Sequence, residues 1–286
     1  MGSNTLKKPP LFYWLQASTL KAFGMGEGAM RLWPMILALI GCLATYGVGR
    51  RFYGRAVGIG ASLILATSLL YYAFSHLIVL DMAVSTLITL TLYAFICGVT
   101  SPPGNSRRLW IWSSAAACAL AILTKGIVGL AIPGTMALIW VIVCRQWKAL
   151  WPLYLPSSLL ILIAIAAPWH ILVSLQNPEF AYKYFIVEHV LRYTTTVHLR
   201  YQPVWFFIPI LLFGFFPWTA LLPGTLKSCW KGQPPHTRFF PYLGSWSLYF
   251  LFFISIKINS LYFTVFSTSS FACCPVYNAV MATKCF

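Results

Sequence analysis

The residues that could do chemistry fall in a few short stretches. Glu188, His189 and Arg192 stand on neighbouring turns of FAYKYFIVEHVLRY, where Phe180, Tyr184, Val187 and Leu191 recur at helical spacing. An acid, an imidazole and a guanidinium on one helix suit acid–base work or the grip of an anion. Glu188 and Arg192 are also four residues apart, the spacing of an ordinary surface ion pair. With Glu188 the one carboxylate near His189, a divalent metal at His189 is a weak reading, since a typical catalytic zinc site has three protein ligands.

Two further residues lie against apolar segments. Asp81 follows SHLIVL and opens LDMAVSTLITL. There it either complements the positive end of a helix or orients a sugar or a cationic partner. Lys125 interrupts ILTKGIVGL with no polar loop around it. A lone cation there either snorkels to the interface or meets a lipid phosphate as a point charge. With Lys8 of KKPP and Arg192, Lys125 would complete a phosphate clamp. His76 and His170 read more simply as packed rings.

The elements that must position these residues follow from composition. The chain has 286 residues, 59% apolar and 8% charged, and its mean hydropathy is +0.77. A soluble domain is about a quarter charged, so disorder, coiled coil and most soluble enzymes are excluded. Apolar runs at 32–49, 57–76, 82–99, 109–124, 126–144, 149–174, 204–223 and 242–256 predict eight membrane spans, with a weaker ninth near 261–280. The expected fold class is all-α, a polytopic transmembrane bundle. Residues 1–31 and 175–203 are the longest outward stretches. In the first, Leu11, Trp14, Leu15 and Ala22 form an apolar stripe opposite Lys21, which reads as an interfacial helix or as a lead-in to the first span. In the second, Asn177, Pro178 and Glu179 suit a helix start.

Charge gives the orientation. Linkers 50–56, 100–108, 145–148 and 224–241 hold ten Lys and Arg and no acid. The remaining linkers hold the other ten cations and all four acids, Glu27, Asp81, Glu179 and Glu188. The positive-inside rule puts the first set in the cytoplasm and the second outside. The net charge of +16 is scattered over span ends with no basic stripe, which argues against nucleic acid as a partner. The clearest ionisable residues sit at span ends and no repeat is visible, which argues against a transporter. Cys42, Cys97, Cys118 and Cys144 lie in apolar runs, and no CxxC pair occurs.

KKPPLFYWL at 7–15, LDMAVSTLITLTLYAF at 80–95, LTKGIVGLAIPG at 123–134, PWHILVSLQNPEFAYKYFIVEHVLRY at 168–193 and PVWFFIPILLFGFFPWTALLPG at 203–224 occur in one order. With these blocks the chain resembles the bacterial membrane glycosyltransferases that include the lipid A aminoarabinose transferase and the protein O-mannosyltransferase-like proteins. The resemblance implies a membrane domain of the GT-C type over 1–257, followed by an atypical apolar tail at 258–286. It implies transfer of a sugar from a polyprenyl-phosphate carrier to lipid A or another outer-face acceptor, with inversion. The place would be the periplasmic side of a bacterial inner membrane, among membrane lipids. By the same resemblance Lys8 contacts the carrier phosphate. His189 lies near the site, in some members with a divalent metal, and Tyr262 follows a later motif. Glu188, Arg192, Asp81 and Lys125 fall on motif positions, with Asp81 and Glu188 the candidate catalytic carboxylates.

The chain also departs from that pattern. Lys7 stands where the family has a glutamate, and Ile258, Asn259, Ser260 and Leu261 replace a Lys-Leu-Pro motif. An Asp-Glu motif that supplies the family's expected base has no counterpart. General base catalysis is typically worth about 10²–10⁴-fold, so the sequence predicts intact insertion with impaired catalysis. The alternative is a non-catalytic membrane protein that binds a lipid phosphate or a partner.

Overall fold

The structure, a computed structural model, describes residues 9–177, 180 and 207–221. Among them there is no strand. The helices are α1 (Leu11–Phe23), α2 (Glu27–Tyr53), α3 (Arg55–Thr67), α4 (Leu69–His76), α5 (Leu80–Val99), α6 (Asn105–Lys125), α7 (Val128–Val143), α8 (Leu155–Gln176) and α9 (Phe207–Gly214). On length and apolarity α2, α5 and α8 can each cross a membrane, and the bent pair α3–α4 makes a fourth candidate. α7 has only 16 residues, and α6 begins with Asn105, Ser106, Arg107 and Arg108. These two runs, read as spans from the sequence, depend on their neighbours to sit in a bilayer.

α5 is the pillar. Its Val84, Leu87, Ile88, Leu92 and Ile96 form the main core with Ile111 and Ala121 of α6 and Met136, Trp140 and Val141 of α7. Hydroxyls join the helices where lipid offers no alternative partner. Thr86 Oγ1 donates to the Leu37 carbonyl at 3.1 Å, Ser114 Oγ to Thr91 at 2.9 Å and Tyr71 OH to Ala38 at 2.7 Å. α2 runs parallel to α5, and α6 returns antiparallel to it.

The α2–α3 hairpin turns at Gly54, whose φ of +93° suits glycine. Above it the two backbones touch. A Cβ on Gly58 would lie 2.7 Å from the Arg50 nitrogen, and one on Gly49 would lie 2.7 Å from the Gly58 Cα. Gly58→Val should therefore push the helices apart and cost about 1–3 kcal/mol, the range for overpacking. Equilibrium unfolding in detergent measures this.

The run 57–76 is not one straight span. α3 and α4 meet at 63°. Ser68 is extended, with ψ 127°, and the Thr67 and Ser68 hydroxyls both bond back to the preceding turn, at 2.6 Å to Leu63 and Ile64. The opened backbone is met by the residues after α9. The Leu69 amide donates to the Phe216 carbonyl at 3.1 Å, and the Trp218 indole donates to Thr67 Oγ1 at 2.8 Å. The run 204–223 breaks as well. Helix α9 stops at Gly214, and Pro217 lacks the amide hydrogen that a continuing helix needs.

The charges sort as expected among the described residues. Arg50, Arg51, Arg55, Arg107, Arg108, Arg145 and Lys148 lie at one end of the bundle, with no acid. Glu27 and Asp81 begin α2 and α5 at the other end. These are called the basic end and the carboxylate end below. The spans placed at 242–256 and 261–280 and the tail at 258–286 lie outside the described residues.

Candidate functional site

The α5–α6 hairpin creates the site. Asp81 is in the first turn of α5 and Lys125 in the last turn of α6. Each charge complements its own helix end, and antiparallel packing sets the two ends side by side. Lys125 Nζ donates to Asp81 Oδ1. The side chains keep only 13% and 8% of their surface exposed, so this is an enclosed pair rather than a snorkelling lysine beside a solvated acid. Glu27, by contrast, pairs with Arg31 at 3.3 Å in the open, where such contacts contribute little.

Two glycines fix the position of Lys125. Gly126 ends α6 with φ +83°, and its amide bonds to the Ile122 carbonyl at 2.7 Å. A Cβ on Gly129 would sit 2.5 Å from the Ala121 carbonyl carbon, so α7 folds back directly against α6. Thr124 is fully buried and bonds to Leu120 at 2.8 Å. These contacts fix the Lys125 backbone at the end of α6, opposite the first turn of α5.

α1 covers this end by a face that the apolar stripe did not indicate. Its buried residues are Phe12, Gln16 and Thr19, while Trp14 is 54% exposed. In a membrane the most apolar face can meet lipid, and smaller or polar residues meet protein. Phe12 packs with Leu37 of α2 and with Leu80 and Ala83, which lie in the same first turn of α5 as Asp81. Gln16 lies one turn from Phe12, and Trp33 one turn from Leu37. Their Nε2 and Nε1 atoms are buried with no hydrogen-bond partner among the described residues. Burial also raises the pKa of the Tyr13 phenol on the same helix. Sequence reasoning missed Gln16 and Trp33. The available signal was a glutamine one turn after Phe12 and three residues before Thr19 on a largely apolar helix.

The geometry brings Asp81 and Lys125 together. Lys8, Glu188, His189, Arg192 and Tyr262 lie outside the described residues, as do Pro178 and Glu179. Asn177 closes α8, and Phe180 packs on Trp169 and Val173. His170 bonds through Nδ1 to the Ala166 carbonyl at 2.8 Å, and His76 to that of Tyr72 at 2.9 Å, so each half-buried ring is tied to its own helix. Among the described residues no three His, Cys, Asp or Glu side chains gather as a metal would require. Asp81 is already engaged by the Lys125 ammonium. The carboxylate end thus holds an enclosed ammonium and, on α1 and α2, two buried nitrogen donors with no partner among the described residues, a set that suits an anionic, oxygen-rich headgroup.

A family model for dolichyl-phosphate-mannose-protein mannosyltransferase matches residues 2–183. The chain is 31% identical over 258 residues to the undecaprenyl phosphate-alpha-4-amino-4-deoxy-L-arabinose arabinosyl transferase of Edwardsiella ictaluri, covering 90% of this chain and 47% of that protein. It is 30% identical over its whole length to a Sodalis glossinidius transferase of the same name, numbered 2, covering 51% of it. The chain thus spans about half the length of the curated relatives it matches. Two crystal structures of ArnT from Cupriavidus metallidurans are similar in fold. The form bound to undecaprenyl phosphate gives a TM-score of 0.79 at 29% identity, over 85% of this chain and 45% of that one. The apo form gives 0.75 at 30% identity, over 86% and 44%. The bundle is a polytopic membrane fold of the GT-C type.

Proposed function

Because the chain belongs to the dolichyl-phosphate-mannose-protein mannosyltransferase family, we propose that it acts in polyprenyl-phosphate-dependent sugar transfer. The donor would be a sugar on a polyprenyl phosphate, and the acceptor lipid A or another outer-face molecule. The reaction would take place on the periplasmic side of a bacterial inner membrane, at the carboxylate end of the bundle. The enclosed Asp81–Lys125 pair carries this reading. In this reading Lys125 is the cation that meets the lipid phosphate, and Gln16 Nε2 and Trp33 Nε1, buried without a partner among the described residues, supply further donors.

The chemistry asks for charge control at the carrier. An acceptor oxygen forms a bond to the anomeric carbon from the face opposite the leaving group. The bond from that carbon to the phosphate oxygen breaks, and its electron pair stays on the released polyprenyl phosphate. Lys125 stabilises that developing negative charge, and Asp81 holds the ammonium in place beforehand. The acceptor proton passes to a base, for which Asp81 and Glu188 are the candidate carboxylates. Lys8, Arg192, His189 and Tyr262 join the binding site in this proposal by their motif positions.

A specific observation favours a second reading. Asp81 is committed to Lys125, and Glu27 is exposed with Arg31, so the described site offers grip without a free carboxylate. A protein that holds the lipid phosphate without turnover fits that arrangement. Purifying the 286-residue chain in mild detergent and measuring retained undecaprenyl phosphate tests both readings. The wild type should retain the carrier, and Lys125→Ala should lower retention at least about tenfold. Transfer of a radiolabelled sugar from the carrier then supports the enzyme, and retention without transfer supports the binder. No retention by the wild type contradicts both.

A further inference from the structure

A cavity at the basic end has no part in the site above. α2 and α6 pack on α5 from two sides, and the space between their basic-end halves is a groove of about 740 Å³. This is within the range of lipid- and drug-sized pockets, about 300–1,000 Å³. Its floor is Leu90, Ala94 and Cys97 of α5, and its walls include Val48 and Ala117. Arg50 and Arg51 stand at its basic-end rim with Trp110. Arg51 spans the rim, donating through Nη2 to Ser101 Oγ at 2.8 Å and to the Cys97 carbonyl at 3.3 Å, with its guanidinium 5.6 Å from the Trp110 ring centre. Arg51 is thus held in place with its Nε and Nη1 donors unspent on described residues. Arg50 is exposed with no ion-pair partner among them.

We propose that this groove binds one anionic phospholipid of the leaflet at the basic end, with an acyl chain along α5 and the headgroup phosphate on Arg50 and Arg51. The occupant follows from charge complementarity. The basic end carries seven Lys and Arg and no acid among the described residues. Basic pockets between membrane helices favour anionic headgroups. An apolar trough closed by a fixed, bidentate-capable guanidinium selects phosphate over an uncharged partner. The proposal is independent of sugar transfer, because the groove is at the opposite end of the bundle from Asp81.

Native mass spectrometry of the full chain, exchanged into micelles containing phosphatidylglycerol, phosphatidylcholine or undecaprenyl phosphate, tests it. The wild type should keep one phosphatidylglycerol at collision energies that strip phosphatidylcholine. R50Q/R51Q should lose at least about tenfold of that retention. Gly47→Leu should lose it too by filling the groove, since a Cβ at Gly47 meets nothing within 4 Å and the fold is spared. Circular dichroism on each variant establishes that it is folded. R55Q, a cation outside the groove, should keep the lipid. Equal retention of phosphatidylcholine, or of phosphatidylglycerol in both groove variants, overturns the proposal. Displacement by undecaprenyl phosphate at equal concentration also overturns it and assigns the groove to an isoprenoid chain.

Discussion

Lys125→Met is expected to destabilise the protein by about 3–5 kcal/mol, because it strands the Asp81 carboxylate in an enclosed site. Removing one partner of a buried pair exposes the full desolvation penalty of the other. Removing both charges does not. The double variant D81N/K125M should therefore recover most of the loss, leaving a deficit of about 1 kcal/mol. Equilibrium unfolding in detergent micelles gives the stabilities, and the double-mutant cycle gives the coupling. Carrier retention should not follow stability. It should stay low in the double variant, because the refolded site no longer presents a cation. A double variant as unstable as K125M would show that the two charges act separately. One that regained retention would remove Lys125 from the binding site.

The second large effect is expected at Gly129. A Cβ there would meet the Ala121 carbonyl carbon at 2.5 Å and its oxygen at 2.7 Å. Both are helix backbone and cannot rotate aside, so α7 must lift from α6. Gly129→Val should cost about 3 kcal/mol, the upper part of the overpacking range, and it should displace Lys125 by loosening the turn at Gly126. A milder change on the same helix separates crowding from general damage. Gly134 has open space around its Cβ position, so Gly134→Ala should be neutral or slightly stabilising. The unfolding midpoint of Gly129→Val should fall well below the wild type, and that of Gly134→Ala should lie at or slightly above it. Similar midpoints would contradict the close α6–α7 contact.

Much of this was legible in the residues. The sorting of Lys and Arg against Asp and Glu along the linkers gave each helix its direction, since charge at span ends is set by topology. Asp81 stood out as an acid opening an apolar run, and Lys125 as a lone cation in a break with no polar loop around it. Their pairing was not legible. They are 44 residues apart, and only the antiparallel return of α6 along α5 makes them neighbours. The bend at Ser68 was hidden because hydropathy reads Thr67 and Ser68 as mild interruptions. Their hydroxyls and the later Phe216 and Trp218 make the break stable. The protein-facing side of α1 was hidden for a related reason. Apolarity marks what leaves water, and in a bilayer both lipid and protein qualify. Gln16 is buried against protein while Trp14 points outward.

Labelling the full chain with a photoreactive undecaprenyl phosphate, followed by peptide mass mapping, tests the head site most directly. Saturable adducts are expected on α1, on the first turn of α5 and on residues around Lys125, competed by unlabelled carrier and lost in K125M. Saturable adducts confined to α2, α5 and α6 at the basic end would contradict a carrier-binding role for the Asp81–Lys125 pair.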